Sequence, residues 1–329
     1  MNYQPFVSVV MPVYNTATYV ADAVSSVLFQ SYENFELLII DDAGHDNSIE
    51  ICETFDDPRI RIIKQANRGL AGARNTGIRN ARGSLIAFLD SDDLWMPRKL
   101  ERHVQHFALN ETLGVSYSGS VLIDDDGVPL SVRMTPKLDN IRAEDVFLRN
   151  PIGNGSAPVI RRDVFDDIRF EGRPGEHNWF DETFRQSEDI ECWLRIILNT
   201  RWKFEGIEGY LTVYRINESG LSANIRKQYE SWIRVRDKVC SYARGFGRMW
   251  SGRAEGYQLR YLARRAVRTT DAWLAIQLLT KALVKHPLMV VEEPRKTAST
   301  AVATVLLLCF PRALNRSLHQ RYLGRSVPT

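Results

Sequence analysis

Ser84-Leu85-Ile86-Ala87-Phe88-Leu89-Asp90-Ser91-Asp92-Asp93-Leu94-Trp95 is the stretch that decides how this 329-residue chain is read. The unbroken apolar run 85–89 is the pattern of a strand buried on both faces, as in a parallel sheet covered by helices. It stops at three carboxylates, Asp90, Asp92 and Asp93. Open α/β sheets take their ligands just beyond the carboxyl ends of strands. Hard oxygen donors placed there suit Mg2+ or Mn2+ shared with a phosphate-bearing ligand. A solvated acidic turn ahead of a helix starting near Pro97 accounts for the same residues.

On either side of that stretch, strand and helix patterns alternate. Apolar runs at 7–13, 35–40, 60–63 and 115–123 read as further strands. Helical spacing appears at 19–28, 48–55, 70–81 and 99–109, with Thr16 or Thr18 and Ser48 as candidate caps. This alternation predicts βαβ units on a mainly parallel sheet. Short strands and loops follow as far as about Asn224, with one helix at 187–198. Beyond it helices are expected at 229–243, 254–267 and 272–284. The expected organisation is an α/β domain over 1–224, divided into halves 1–125 and 126–224, and an α-helical extension over 225–329.

Charge divides along the same line. Residues 1–224 hold 23 Lys/Arg against 34 Asp/Glu, whereas 225–329 hold 20 against 6. A basic tail on an acidic body points to an anionic surface, either membrane or nucleic acid. The tail lacks interleaved aromatic platforms and known DNA-binding patterns, so nucleic acid is not expected as a partner. Cys52, Cys192, Cys240 and Cys309 are scattered, as in a reducing compartment. Residues 1–6 lack the features of a signal peptide. The apolar run 301–310 is about half the roughly 20 residues a membrane span needs. A cytoplasmic protein is expected, at most attached to the inner face of the cell membrane. Arg295, Lys296, Arg312, Arg316, Arg321 and Arg325 flank that run as in an interfacial helix.

Three further patterns bear on chemistry. Pro12, Tyr14 and Asn15 end the first strand, and Asp41 and Asp42 end the second, so parallel pairing sets both turns on one rim; these five, with Ser91, are candidate nucleotide contacts. Asp41 can accept hydrogen bonds from a uracil-type base, and Tyr14 can pack on its ring. Asp41, Asp42 and Asp46 also suit turns and caps. The segment 67–77 has glycines without the G-x-G-x-x-G spacing. It predicts a helix whose N-terminus at Gly69–Gly72 favours phosphate, with Arg74 one turn in; close packing on the sheet also explains its small residues. Asp90, Ser91 and Asp92 form the metal turn. Ser187-Glu188-Asp189 opens a later helix, where a carboxylate kept ionised can accept a proton. His45, His103, His106 and His177 are not spaced as a metal set, and His103 and His106 are expected on an outer helix face. Trp179-Phe180 and Trp202/Phe204 suit core packing or an acceptor groove.

The set S-V-V-M-P-V-Y-N, I-I-D-D, G-x-x-x-A-R-N-x-G, F-L-D-S-D-D and S-E-D strongly resembles the family 2 glycosyltransferases of the GT-A fold. The resemblance implies a Rossmann-like, mostly parallel sheet flanked by helices, a nucleotide-sugar donor, and a metal on the D-x-D turn. It implies a later carboxylate that deprotonates the acceptor hydroxyl while transfer inverts the anomeric centre. By the same resemblance, Pro12, Tyr14, Asp41 and Arg74 sit at the nucleotide. Asp90 and Asp92 sit at the ribose, phosphates and metal, with Asp92 the direct ligand. Asp189 is the base, with Glu188 beside it. The processive members' Q-x-x-R-W motif and membrane spans are absent from this sequence. The expectation is therefore a transferase of single sugars, using a UDP-sugar and acting on a cell-surface glycan or lipid-linked acceptor. A sugar nucleotidyltransferase shares the α/β core, but its glycine-rich, Arg-containing first loop is not found here.

Overall fold

The computed structural model describes residues 4–217 and 224–309; Phe310, Arg312, Arg316, Arg321 and Arg325 lie outside them. Two compact units emerge, one of residues 1–129, 133–143 and 151–216, the other of 130–132, 144–150 and 217–329.

The chain begins β1 (Val7–Val13), α1 (Val20–Leu28), β2 (Phe35–Asp41), α2 (Ser48–Glu53), β3 (Ile60–Lys64), α3 (Gly69–Asn80) and β4 (Leu85–Phe88). It continues β5 (Leu94–Trp95), α4 (Lys99–Leu109), β6 (Leu113–Ile123), β7 (Pro129–Met134), α5 (Ala143–Arg149), β8 (Val159–Arg161) and α6 (Arg162–Ile168). Then come β9 (Phe170–Glu171), β10 (His177–Asn178), α7 (Glu188–Asn199) and β11 (Lys203–Arg215). Among the described residues one sheet runs β3-β2-β1-β4-β8-β6-β11-β5, with β7 on β6. Its first four strands are parallel. β8 then runs antiparallel between β4 and β6.

The fully buried β1 and β4 explain the apolar runs that announced them. α1 turns Val20, Ala23, Val24 and Val27 onto the sheet. α3 lies so close that a Cβ on Gly77 would collide with Val10, which is why its small residues are needed. Two cap assignments are corrected. Neither Thr16 nor Thr18 caps α1 by its side chain; the Thr16 carbonyl accepts from Tyr19 and Val20. Ser48 is the first residue inside α2, and its hydroxyl serves Asp46 and the Thr16 N–H.

The inner face of α4 reverses the expectation for its histidines. His103 is fully buried and His106 half-buried, and both reach the Ser116 hydroxyl, at 2.7 and 2.8 Å. Fully buried Lys99 donates to the Ala157 carbonyl (2.7 Å) and the Thr212 hydroxyl (3.2 Å). Polar side chains from β6 and β11 thus give this stripe partners that helical periodicity does not reveal. Burial lowers the Lys99 pKa to about 7. Between pH 7 and 9.5 the unfolded chain keeps this lysine protonated and the folded chain does not. Stability should therefore rise with pH there, by about 1.4 kcal/mol per unit. Lys99→Met should flatten that slope in denaturant titrations; an unchanged slope contradicts the assignment.

The second unit carries α8 (Ile225–Tyr242), α9 (Arg244–Arg268), α10 (Ala272–Lys285), α11 (Met289–Glu292) and α12 (Pro294–Cys309). Asn224 and Asp271 cap α8 and α10 through the N–H groups of Lys227 and Leu274. Leu259, Leu262, Ala263, Ala266, Ala282 and Met289 form its core. Buried Glu255 is held by Tyr229, Arg236 and Lys285. No helix among the described residues is long and apolar enough to cross a membrane.

Candidate active site

The carboxyl ends of β1, β2 and β4 meet on one rim, as their parallel pairing requires. Tyr14 stands 45% exposed there, with its ring edge-on to His45 at 6.4 Å. Asn15 adopts a left-handed backbone (φ 53°), and its side-chain oxygen accepts the His45 N–H at 2.7 Å, tying the first turn to the second. Asp41 is half-buried, and its side chain accepts the Ala43 N–H at 3.0 Å. These residues leave a ring and a carboxylate on the rim.

Two neighbours turn inward. Pro12 is buried within β1, two residues past the last β4 partner, so its missing N–H leaves no ladder bond to β4 unmade. It shapes the strand end and offers no surface to a ligand. Asp42 is 3% exposed; its oxygens accept from the Gln65 side chain and the N–H groups of Arg68 and Gly69. Both direct-contact expectations are corrected. At the start of α3, Asp42 already takes the Gly69 N–H, one of the amides expected to be free for phosphate.

The turn after β4 is braced on all sides. Asp90 Oδ1 receives Arg74 at 2.8 Å, and the Asp90 N–H donates to the Ser156 hydroxyl. Ser156 in turn donates to buried Asp93 (2.6 Å), which also accepts the Arg215 N–H. Arg215 donates to the carbonyls of Asp92, Asp124 and Asp125, each at 2.9 Å, and lies over the Tyr19 ring. Ser91 is buried with its hydroxyl 2.9 Å from that of Thr16, so it fastens the turn to the β1 loop and does not face a ligand. Asp92 is left partly exposed at the apex. A cavity of about 650 Å3 adjoins the turn, lined in part by Tyr19, Asp22, Met96, Asp125 and Arg215.

Arg74 joins this turn to the start of α7. Its buried guanidinium binds Asp90 and, at 2.7 Å, Glu188. The rings of Phe88 and Phe180 flank it, and its Nε is buried without a hydrogen bond. The expected phosphate contact is therefore corrected: this arginine is consumed by two carboxylates. A Cβ on Gly155 would strike the guanidinium, which is why a glycine stands there. Beside it, Asn75 accepts the N–H groups of Trp179 and Phe180 and donates to the Phe180 carbonyl. The A-R-N triplet thus pins the segment leading to α7 against α3. Trp179 and Phe180 are core residues, packed with Phe88, Phe165 and Trp193. Phe204 is buried too, whereas Trp202 is only partly covered and bonds Asp167.

Glu188 is buried on Arg74, so it holds position and does not meet a substrate. Asp189, the next residue, is partly exposed, and its Oδ1 accepts the Ile190 N–H at 2.8 Å. Ser187 precedes them in a left-handed conformation (φ 61°), the kind of strain that persists where surroundings fix it. Burial raises the pKa of Asp189 while Arg74 opposes it. Burial and the charge of Asp90 raise that of Asp92. Arg185, exposed four residues before Asp189, overhangs Gly69 at the start of α3.

Asp90, Asp92, Asp93, Glu188 and Asp189 therefore share two guanidinium groups, Arg74 and Arg215. That surplus of hard, negatively charged oxygen fits a divalent cation held by Asp92 and the second oxygen of Asp90. No set of three or more His, Cys, Asp or Glu side chains among the described residues could hold an ion alone. Such an ion would need oxygens from a ligand as well. The residues that sequence reasoning passed over are Gly155 and Ser156, in the loop before β8, and Arg215, at the end of β11, none of which carries a local motif.

Known proteins resemble this chain in sequence and in fold. The model of "Glycosyl transferase family 2" matches residues 8–169. TuaG of Bacillus subtilis, a glycosyltransferase assigned by name to teichuronic acid biosynthesis, is 31% identical over 72% of this chain and 89% of its own. WfgD of Escherichia coli, named UDP-Glc:alpha-D-GlcNAc-diphosphoundecaprenol beta-1,3-glucosyltransferase, is 31% identical over 71% and 86%. Among solved structures, the mannosyltransferase PcManGT of Pyrobaculum calidifontis, in complex with GDP-Man and Mn2+, superposes with a TM-score of 0.56. It is 18% identical and covers 94% of this chain and 89% of its own. TarS of S. aureus with UDP-GlcNAc gives 0.54 at 15% identity, covering 96% and 86%. These structures share the GT-A architecture, and on the sequence relationship to TuaG and WfgD this chain belongs to glycosyltransferase family 2.

Proposed function

We propose that this chain moves one sugar from a UDP-sugar to a hydroxyl of a lipid-linked cell-envelope glycan, inverting the anomeric carbon and requiring a divalent cation. The observation that carries the reading is the Asp90–Arg74–Glu188 bridge, which ties the turn after β4 to the start of α7, where Asp189 follows Glu188. Residues 1–125 serve the donor and 126–224 the acceptor, with 225–329 an extension that works at an anionic membrane surface. WfgD's UDP-glucose and lipid diphosphate acceptor support the choice of both substrates.

In this reading Tyr14 packs on the base and Asp41 accepts its N–H. Arg185 takes the place at the diphosphate that Arg74 does not fill. Asp92 and Asp90 would hold Mg2+ or Mn2+, which when bound supplies positive charge against the departing diphosphate. Asp189 accepts the acceptor hydroxyl's proton as the new C1–oxygen bond forms and the C1–phosphate oxygen bond breaks. Its raised pKa makes it a stronger base than an exposed aspartate. Glu188 and Arg74 keep it aimed.

Incubating the full chain with UDP- and GDP-sugars and Mn2+ should release UDP. Asp92→Ala should weaken Mn2+-dependent UDP binding by more than about tenfold. Unchanged binding in that variant, or turnover indifferent to chelation, contradicts the proposal; pyrophosphate release would instead identify a nucleotidyltransferase.

A further inference from the structure

α12 is built inside out. Its buried positions are Thr297, Thr300, Thr304 and Leu307. Exposed on it are Val302 (57%), Val305 (54%), Leu306 (40%) and Leu308 (41%). The threonine hydroxyls are satisfied on backbone carbonyls: Thr297 on Met289, Thr300 on Lys296, and Thr304 on Thr300. At 3.6 residues per turn the buried set forms one stripe, and Val302, Val305 and Leu306 lie on the opposite side with Arg295. A helix that faces water shows the reverse distribution. Ahead of α12, Leu288, Val290 and Val291 are exposed as well. On α10, Trp273 (68%) and Val284 share an outer face with exposed Lys281.

We propose that the outer face of α12 lies in the headgroup region of an anionic phospholipid bilayer, with the helix parallel to the membrane plane. The inference rests on the lipid-linked acceptor proposed above and adds the element that makes contact. Sixteen residues span about 24 Å, and no described helix can cross a bilayer. In-plane helices combine an apolar face with Lys and Arg attracted to anionic lipid, and tryptophan settles at that interface. A second copy of the chain is the weaker occupant, because 20 Lys/Arg against 6 Asp/Glu over residues 225–329 repel their like and attract lipid phosphate.

The test is cosedimentation of the full chain with phosphatidylcholine vesicles, with and without phosphatidylglycerol. The parent should bind the anionic vesicles at least about tenfold more tightly. Val302→Asp combined with Val305→Asp should lose that binding by a similar factor while UDP release in solution stays unchanged. A Val302→Ser/Val305→Ser chain should fall between. Equal binding by parent and double-aspartate variant overturns the proposal, as does absence of parent binding. A parent dimer in light scattering that the double-aspartate variant dissolves also overturns it, in favour of a second copy. Vesicle binding without UDP release would sink the catalytic reading and leave this one standing.

Discussion

Replacing Arg74 with methionine should cost the fold about 3–5 kcal/mol and end sugar transfer. The guanidinium is buried and answers two carboxylates, Asp90 and Glu188, at 2.8 and 2.7 Å. Methionine fills part of the space but leaves Glu188 buried with its charge unanswered, and Asp90 facing Asp92 alone. Removing one partner of a buried ion pair is costly for that reason, however little the intact pair contributes in net terms. Arg74→Lys should recover part of the stability and little of the activity, because one ammonium cannot reach both carboxylates as the planar fork does. Adding Glu188→Gln to Arg74→Met should restore stability beyond the additive expectation. Urea denaturation with UDP-release assays reads both effects. A methionine variant within about 1 kcal/mol of the parent would mean the bridge is not intact in solution.

The sheet could be read from the chain because its central strands are buried on both sides. Apolar runs at 7–13 and 85–89 have no amphipathic alternative, and carboxylates mark where they end. The type of residue at 74, 90 and 189 was legible; the partners were not. Arg74 meets Glu188 across 114 positions, and nothing in local spacing records that contact. The same holds for Gly155, which matters only because a guanidinium passes over it. Asp42 and Ser91 suit a ligand in the sequence because turn chemistry and ligand chemistry use the same residues. Burial alone separates them, and both turned inward. His103 failed for the opposite reason: a polar stripe on a helix signals solvent unless the opposing strands supply Ser116 and Thr212. In α12 the apolar run was visible, but the inward threonines that make its outer face meaningful were not.

Asp189→Asn should lower transfer by about 10²–10⁴-fold, the range a positioned proton acceptor contributes. Asparagine keeps the size of the side chain and its acceptance of the Ile190 N–H, so the bridge beside it stays intact. What it loses is the ability to take a proton. In the parent, burial holds the Asp189 pKa above the ordinary aspartate range. Transfer should therefore rise with pH through a value above that range and level off once the carboxylate is ionised; the asparagine variant should lack this limb. Because the base of the donor is assigned to Tyr14 and Asp41 and not to Asp189, donor affinity should not follow the rate. Measuring Mn2+-dependent UDP binding and single-turnover transfer on the same Asp189→Asn preparation decides the matter. The account predicts binding within about twofold of the parent with transfer lost; full turnover in that preparation would contradict it.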